Sequence, residues 1–97
     1  MDKFSIFAQD QRLVLLRSLA DAGNDANESI LQDCLDNYGH RISREQVRSH
    51  LLWLQEQGCV RLDDIAGLFV AHLTARGWDV AQGRTEVYGI KKPRPRD

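Results

Sequence analysis

Ile42–Thr74 reads ISREQVRSHLLWLQEQGCVRLDDIAGLFVAHLT, and this stretch decides the fold. Ser43-Arg44-Glu45-Gln46 fits the S-x-x-Q capping box, in which a serine side chain and a glutamine three residues on satisfy each other's backbone donors. Ile42, just before the cap, can staple against Val47. A helix is expected from there to about Gln57, with Gly58 as its stop. Cys59 to Asp63 suits a strand with Val60 inward. Asp64-Ile65-Ala66-Gly67 reads as a turn, and Leu68 to Leu73 is apolar enough for a returning strand. Thr74 is placed to cap a last helix, Ala75 to Gln82, which Gly77 weakens.

Upstream, Leu13, Leu16 and Ala20 share one face of a helix from about Gln9 to Ala22, and Leu15 and Leu19 widen it. Gly23-Asn24-Asp25 carries turn chemistry. Asn27 is a good N-cap for a second helix reaching Tyr38, with a buried stripe of Ile30, Leu31, Cys34, Leu35 and Tyr38 and Gly39 as the stop. Two helices joined by His40-Arg41-Ile42 form a helix-turn-helix. The fold class expected is mainly α with a small β-hairpin: a winged helix-turn-helix of three helices, a two-stranded wing and a C-terminal helix. The domain is expected over residues 1–84, with 85–97 as an extended basic tail.

A chain of 97 residues is one domain. Its apolar content of 42% and charged content of 28% are those of an ordinary soluble protein. No apolar run approaches a membrane span, and MDKFSIFAQD lacks a secretory apolar core, so a cytoplasmic protein that does not touch membranes is expected. Net charge is −1. Residues 1–40 carry three basic and seven acidic side chains, 41–61 four basic and two acidic, and 62–97 six basic and five acidic. Positive charge thus gathers on the third helix and in the tail, which suits a local basic face for DNA and equally a solvated helix.

On a wheel of ~100° per residue, Val47, His50, Leu51 and Leu54 form the inner side of the third helix. His50 is expected as a satisfied core histidine. Glu45, Arg48, Ser49 and Leu52 point outward, flanked by Arg44 and Gln46. In helix-turn-helix docking the N-terminal part of the second helix meets base edges. Arginine pairs with guanine, glutamine with adenine, and serine with either a base or a phosphate. The candidate DNA contacts are therefore Arg41, Ser43, Arg44, Gln46, Arg48 and Ser49. Arg61 on the first wing strand and Lys91, Lys92, Arg94 and Arg96 of the tail are added for phosphates; the tail reads equally as a solubilising end. Asp63 and Asp64 make an acidic wing tip, which does not suit phosphates. Leu52 and Trp53 fall outside the main core. They either pack under the wing or tail, or form an interface.

No glycine-rich phosphate loop, HExxH, GxSxG or paired CxxC is present. His40, His50 and His72 lie on different elements, and Cys34 and Cys59 are too far apart in sequence for a zinc pattern, so they read as buried thiols. No enzyme, cofactor or metal is expected.

The segments NESILQDCLDNYGHRISREQVRSHLLWLQEQGCV, VAHLTARGWDVAQGR and YGIKKPRP resemble the small winged-helix proteins of Mu-like phages and prophages, sometimes labelled ArsR-type. The resemblance runs from about Arg12 to Pro95. WLxxxGxV, Trp53 to Val60, is shared broadly among winged helices. LTxxGxDVAxGR, Leu73 to Arg84, and GIKKPRP, Gly89 to Pro95, are more particular to the phage group. The resemblance implies a winged-helix fold, a bacterial cytoplasmic setting and a DNA-binding role, with no catalytic residues. The cysteine motif of metal-sensing ArsR proteins is absent from the third helix, so no metal response follows. The expected function is a DNA-binding transcriptional regulator, acting as a homodimer with its third helix in the major groove. The first and last helices, with Trp78 and Val80, are the expected dimer surfaces. The alternative is a protein-interaction module, such as an accessory to phage assembly or packaging, with a phage or host protein as partner.

Overall fold

The computed structural model describes residues 5–95 of the chain. Its elements in chain order are α1 (Ser5–Asp21), β1 (Asp25–Asn27), α2 (Glu28–Asn37), α3 (Arg44–Glu56), β2 (Val60–Ile65), β3 (Leu68–Leu73) and α4 (Ala75–Ala81). The described residues are mixed α/β, with four helices and one antiparallel sheet.

The capping box at the start of α3 forms as expected. The Gln46 N–H donates to Ser43 Oγ, and the Ser43 N–H donates to Gln46 Oε1, each at 3.1 Å. With its ends fixed, α3 buries Val47, His50, Leu51 and Leu54. Gly58 ends it at φ +76, in the left-handed region that glycine enters without a Cβ clash.

The hairpin is longer than the sequence indicates. Asp64 and Ile65, expected in the turn, continue β2, and Ile65 pairs with Leu68. Only Ala66 and Gly67 form the tip, at φ +53 and +85. Positive φ at both central residues is the geometry that matches the strands' right-handed twist. Asp64 supports the tip by accepting the Gly67 N–H at 2.8 Å.

Where a two-stranded hairpin is expected, the structure has a three-stranded sheet, ordered β1-β3-β2. Ala26 of β1 pairs with Ala71 of β3. Asp-Ala-Asn has poor strand propensity and reads as turn; the free edge of β3 supplies the partner that the local sequence lacks. Asn27 both ends β1 and caps α2, accepting the Ile30 N–H at 2.9 Å.

The core joins Leu15, Leu16 and Leu19 of α1 to Leu31 and Leu35 of α2, Leu51 and Leu54 of α3, Cys59, Ala71 and Val80. α1 begins at Ser5, four residues before the expected Gln9. Leu13 to Leu16 are all buried, so α1 is covered on most sides rather than on one stripe. The stripe of α2 is narrower than expected. Ile30 and Tyr38 are exposed, and Cys34 is half-buried. Glu28, three residues before Leu31 on the same face, takes the inward place at the start of the helix and is only 3% exposed.

The segment after Arg84, expected as a separate tail, is packed on the rest. Val87 and Ile90 are buried in the core, and the Lys91 N–H donates to the Gln9 carbonyl at 3.1 Å. Gly77 has its own reason to lack a side chain. A Cβ there would run into the Cys59 carbonyl oxygen as α4 crosses the start of β2.

Candidate binding face on α3

Glu28 organises this face. It is the first residue of α2, where the helix N-terminus favours negative charge. Its Oε2 accepts from Arg48 Nη1 at 2.6 Å and from the Phe69 N–H at 3.0 Å. Its Oε1 lies 3.5 Å from Arg44 Nη1. Arg48 is further held by the Gly67 carbonyl at 3.1 Å and lies 3.9 Å above the Phe69 ring. Arg44 Nε donates to Gln32 Oε1 at 2.8 Å. One buried carboxylate thus ties α2, α3, β3 and the tip of the β2–β3 hairpin together, using both arginines expected to read DNA.

The other expected contacts are scattered. Arg41, Ser43 and Ser49 are exposed. The side-chain carbonyl of Gln46 is engaged in the capping box. Arg61 pairs with Asp63 at 2.7 Å within β2. Lys91 lies 3.4 Å from Asp10 on α1, and Lys92 lies 3.0 Å from Glu86. Arg94 is exposed beside Arg17, Asp21 and Tyr38, along α1. Arg96 lies outside the described residues. Lys91 and Arg94 therefore lie along α1, Lys92 pairs within the tail, and the hairpin tip carries the acidic Asp64.

Beside the arginines the face turns apolar. Leu52 is 45% exposed and Phe7 of α1 is 60% exposed. Phe7, Ala8, Ser49 and Trp53 line an open groove of about 650 Å³ between α1 and α3. Its floor is polar and ordered. Arg12 Nε donates to His50 Nδ1 at 3.2 Å, and Arg12 Nη1 donates to the Gly89 carbonyl at 2.9 Å. The Arg12 guanidinium lies 4.2 Å over the Trp53 ring. With Nδ1 accepting, His50 carries its proton on Nε2 and donates it to Gln11 Oε1 at 2.8 Å. Trp53 thus packs against the tail, as one of its two sequence readings had it, and Gly89, at φ +101, also has no room for a Cβ, which would strike the indole.

Burial, with help from the Arg12 and His40 charges, pushes the His50 pKa down to about 4, so it is neutral at ordinary pH. His50 is the satisfied core histidine expected. Burial raises Asp10, but the 2.7 Å bond from His40 and the nearby Lys91 outweigh it and leave its carboxyl below the usual value. Burial pushes the Cys59 thiol up against the opposing influence of Arg76, which does not suit a nucleophile. His72 bridges the sheet, with Nδ1 at 2.6 Å from Asp25 and Nε2 at 2.8 Å from Asp63. Among the described residues no group of three or more His, Cys, Asp or Glu is placed to hold a metal. No helix described is long and apolar enough to cross a membrane.

Two expected dimer surfaces are altered by packing. Val80 is 2% exposed and belongs to the core, whereas Trp78, 42% exposed, remains outward on α4. On α1 the exposed large apolar side chains among the described residues are Ile6 and Phe7, in its first turn. Sequence reasoning missed Glu28 and Arg12. An acidic residue in phase with Leu31 and Leu35 was a readable signal for the first. The partners of Arg12, at positions 50, 53 and 89, left no local pattern.

Fold and face together define a small mixed α/β protein with a three-stranded antiparallel sheet and an exposed apolar groove. The chain is 57% identical over 91 residues to uncharacterised protein gp26 of Escherichia phage Mu, covering 94% of this chain and 95% of gp26. It is also 50% identical over 91 residues to an uncharacterised protein of Haemophilus influenzae, covering 93% and 88% of the two chains. The chain belongs to this Mu-like phage protein family. No family model matches it, and no solved structure matches it.

Proposed function

We propose that the fold is a winged helix-turn-helix used as a non-catalytic protein-interaction module of a Mu-like phage or prophage. In this reading α2 and α3 are the helix-turn-helix, β2 and β3 the wing, and the groove between α1 and α3 receives an apolar or aromatic side chain of a phage or host protein. The observation that carries it is the outward surface of α3. The two arginines of its N-terminal half, Arg44 and Arg48, are held on Glu28, while Leu52 and the groove beside Trp53 are left to solvent. An apolar patch rimmed by polar groups is typical of a protein contact. Duplex DNA needs the opposite, unpaired cations spaced along the face.

The test is affinity capture from cells expressing the related phage's genes. Wild-type protein should retain one partner reproducibly. A Leu52→Glu variant and a Phe7→Glu variant, each shown to melt cooperatively, should lose it. An Asp33→Asn variant, changed at an exposed position of α2, should keep it. Retention unaffected by both glutamates would sink this use of the groove.

A second reading, a DNA-binding regulator, has one specific observation in its favour. Arg41, Ser43 and Arg44 are exposed at the N-terminal end of α3, where a helix-turn-helix meets bases. Salt-dependent binding of duplex DNA by the wild-type protein would establish that reading instead.

A further inference from the structure

We infer that Glu28 is a specificity residue: a built-in counter-charge that keeps the Arg44/Arg48 end of α3 closed to polyanions such as duplex DNA. The inference deepens the protein-binding reading and rests on it. Three features make Glu28 more than an incidental ion-pair partner. It is buried, with its carboxylate reached by Arg48, Arg44 and the Phe69 N–H together. Both arginines are pulled toward α2 and the wing tip, so a phosphate would have to displace a carboxylate already held at 2.6 Å. The arginines are also held by neutral groups, Arg48 by the Gly67 carbonyl and the Phe69 ring and Arg44 by Gln32. Removing the charge of Glu28 therefore leaves two cations positioned at the start of α3 rather than two loose side chains.

Glu28→Gln keeps the size of the side chain and an oxygen for the Phe69 N–H, and removes only the charge. The probe is a labelled duplex of random sequence, titrated by fluorescence anisotropy at low salt. Glu28→Gln should bind at least tenfold more tightly than wild type, with a steeper loss of affinity as salt rises. Adding Arg44→Ala should remove the gain. Asp33→Asn changes the net charge equally from an exposed position and should stay near wild type. If Glu28→Gln does not melt cooperatively, Glu28→Asp replaces it. Its shorter carboxylate withdraws first from the 3.5 Å contact with Arg44 and should give a smaller gain of the same kind. A folded variant that binds no better than Asp33→Asn overturns the inference while leaving the protein-binding reading standing. Tight, salt-dependent binding by wild type overturns that reading itself.

Discussion

Two residues with little prominence in the sequence, Glu28 and Arg12, hold the face together. Glu28 is buried against Arg44 and Arg48, and a buried ion pair is strongly destabilising once one partner is lost. Arg48→Ala is therefore expected to lower stability by about 2 kcal/mol, discounted because Arg48 is partly open to solvent. Arg48→Ala combined with Glu28→Ala should recover part of that loss, a coupling that denaturant melts of the two single variants and the double variant would measure. His50 gives a pH dependence. Its folded pKa of about 4 lies below the ordinary value of 6.5. Between those values the unfolded chain binds the extra proton, so stability rises with pH across that window and is lost as pH falls through it. The slope is at most ~1.4 kcal/mol per pH unit, and His50→Gln should flatten it in melts at successive pH values.

At the scale of elements, the hairpin and α4 carry the sharpest constraints. Ala66 sits at φ +53, where a Cβ is strained and asparagine is better tolerated. Ala66→Asn should raise the melting temperature by a few degrees, corresponding to about 0.5–1 kcal/mol. Gly77→Ala should cost about 2 kcal/mol or more, because a Cβ meets the Cys59 backbone rather than a movable side chain. What was legible at this scale followed local chemistry. The Ser43/Gln46 box, Asn27 as a cap, Gly58 as a stop and the inner side of α3 all depend on residues within a few positions of one another. What was not legible depended on distant partners. β1 exists because of the free edge of β3. α2 turns Glu28 inward with Leu31 and Leu35 and leaves Ile30 exposed, and Tyr38, past its last residue, is exposed as well. The DNA-contact candidates had suitable side-chain types, but type does not reveal that Glu28, 16 and 20 residues before Arg44 and Arg48, occupies both.

For the molecule as a whole, the last turns of chain are structural. Val87 and Ile90 are buried, and Gly89 supplies the carbonyl that fixes Arg12 over Trp53. Ending the chain after Arg84 should cost about 3–5 kcal/mol from two exposed apolar contacts alone, and a melt of the truncated protein would show it. The same packing shapes the groove that the proposed partner enters, so fold and binding are coupled through Trp53. The central claim is that α3 presents an apolar docking face rather than a reading head for DNA. The most direct measurement is titration of the wild-type protein with labelled duplex DNA at low and at physiological salt. The account predicts binding no tighter than about 0.1 mM, the weak end of non-specific association. Micromolar affinity that falls steeply with salt and disappears in Arg44→Ala would contradict it.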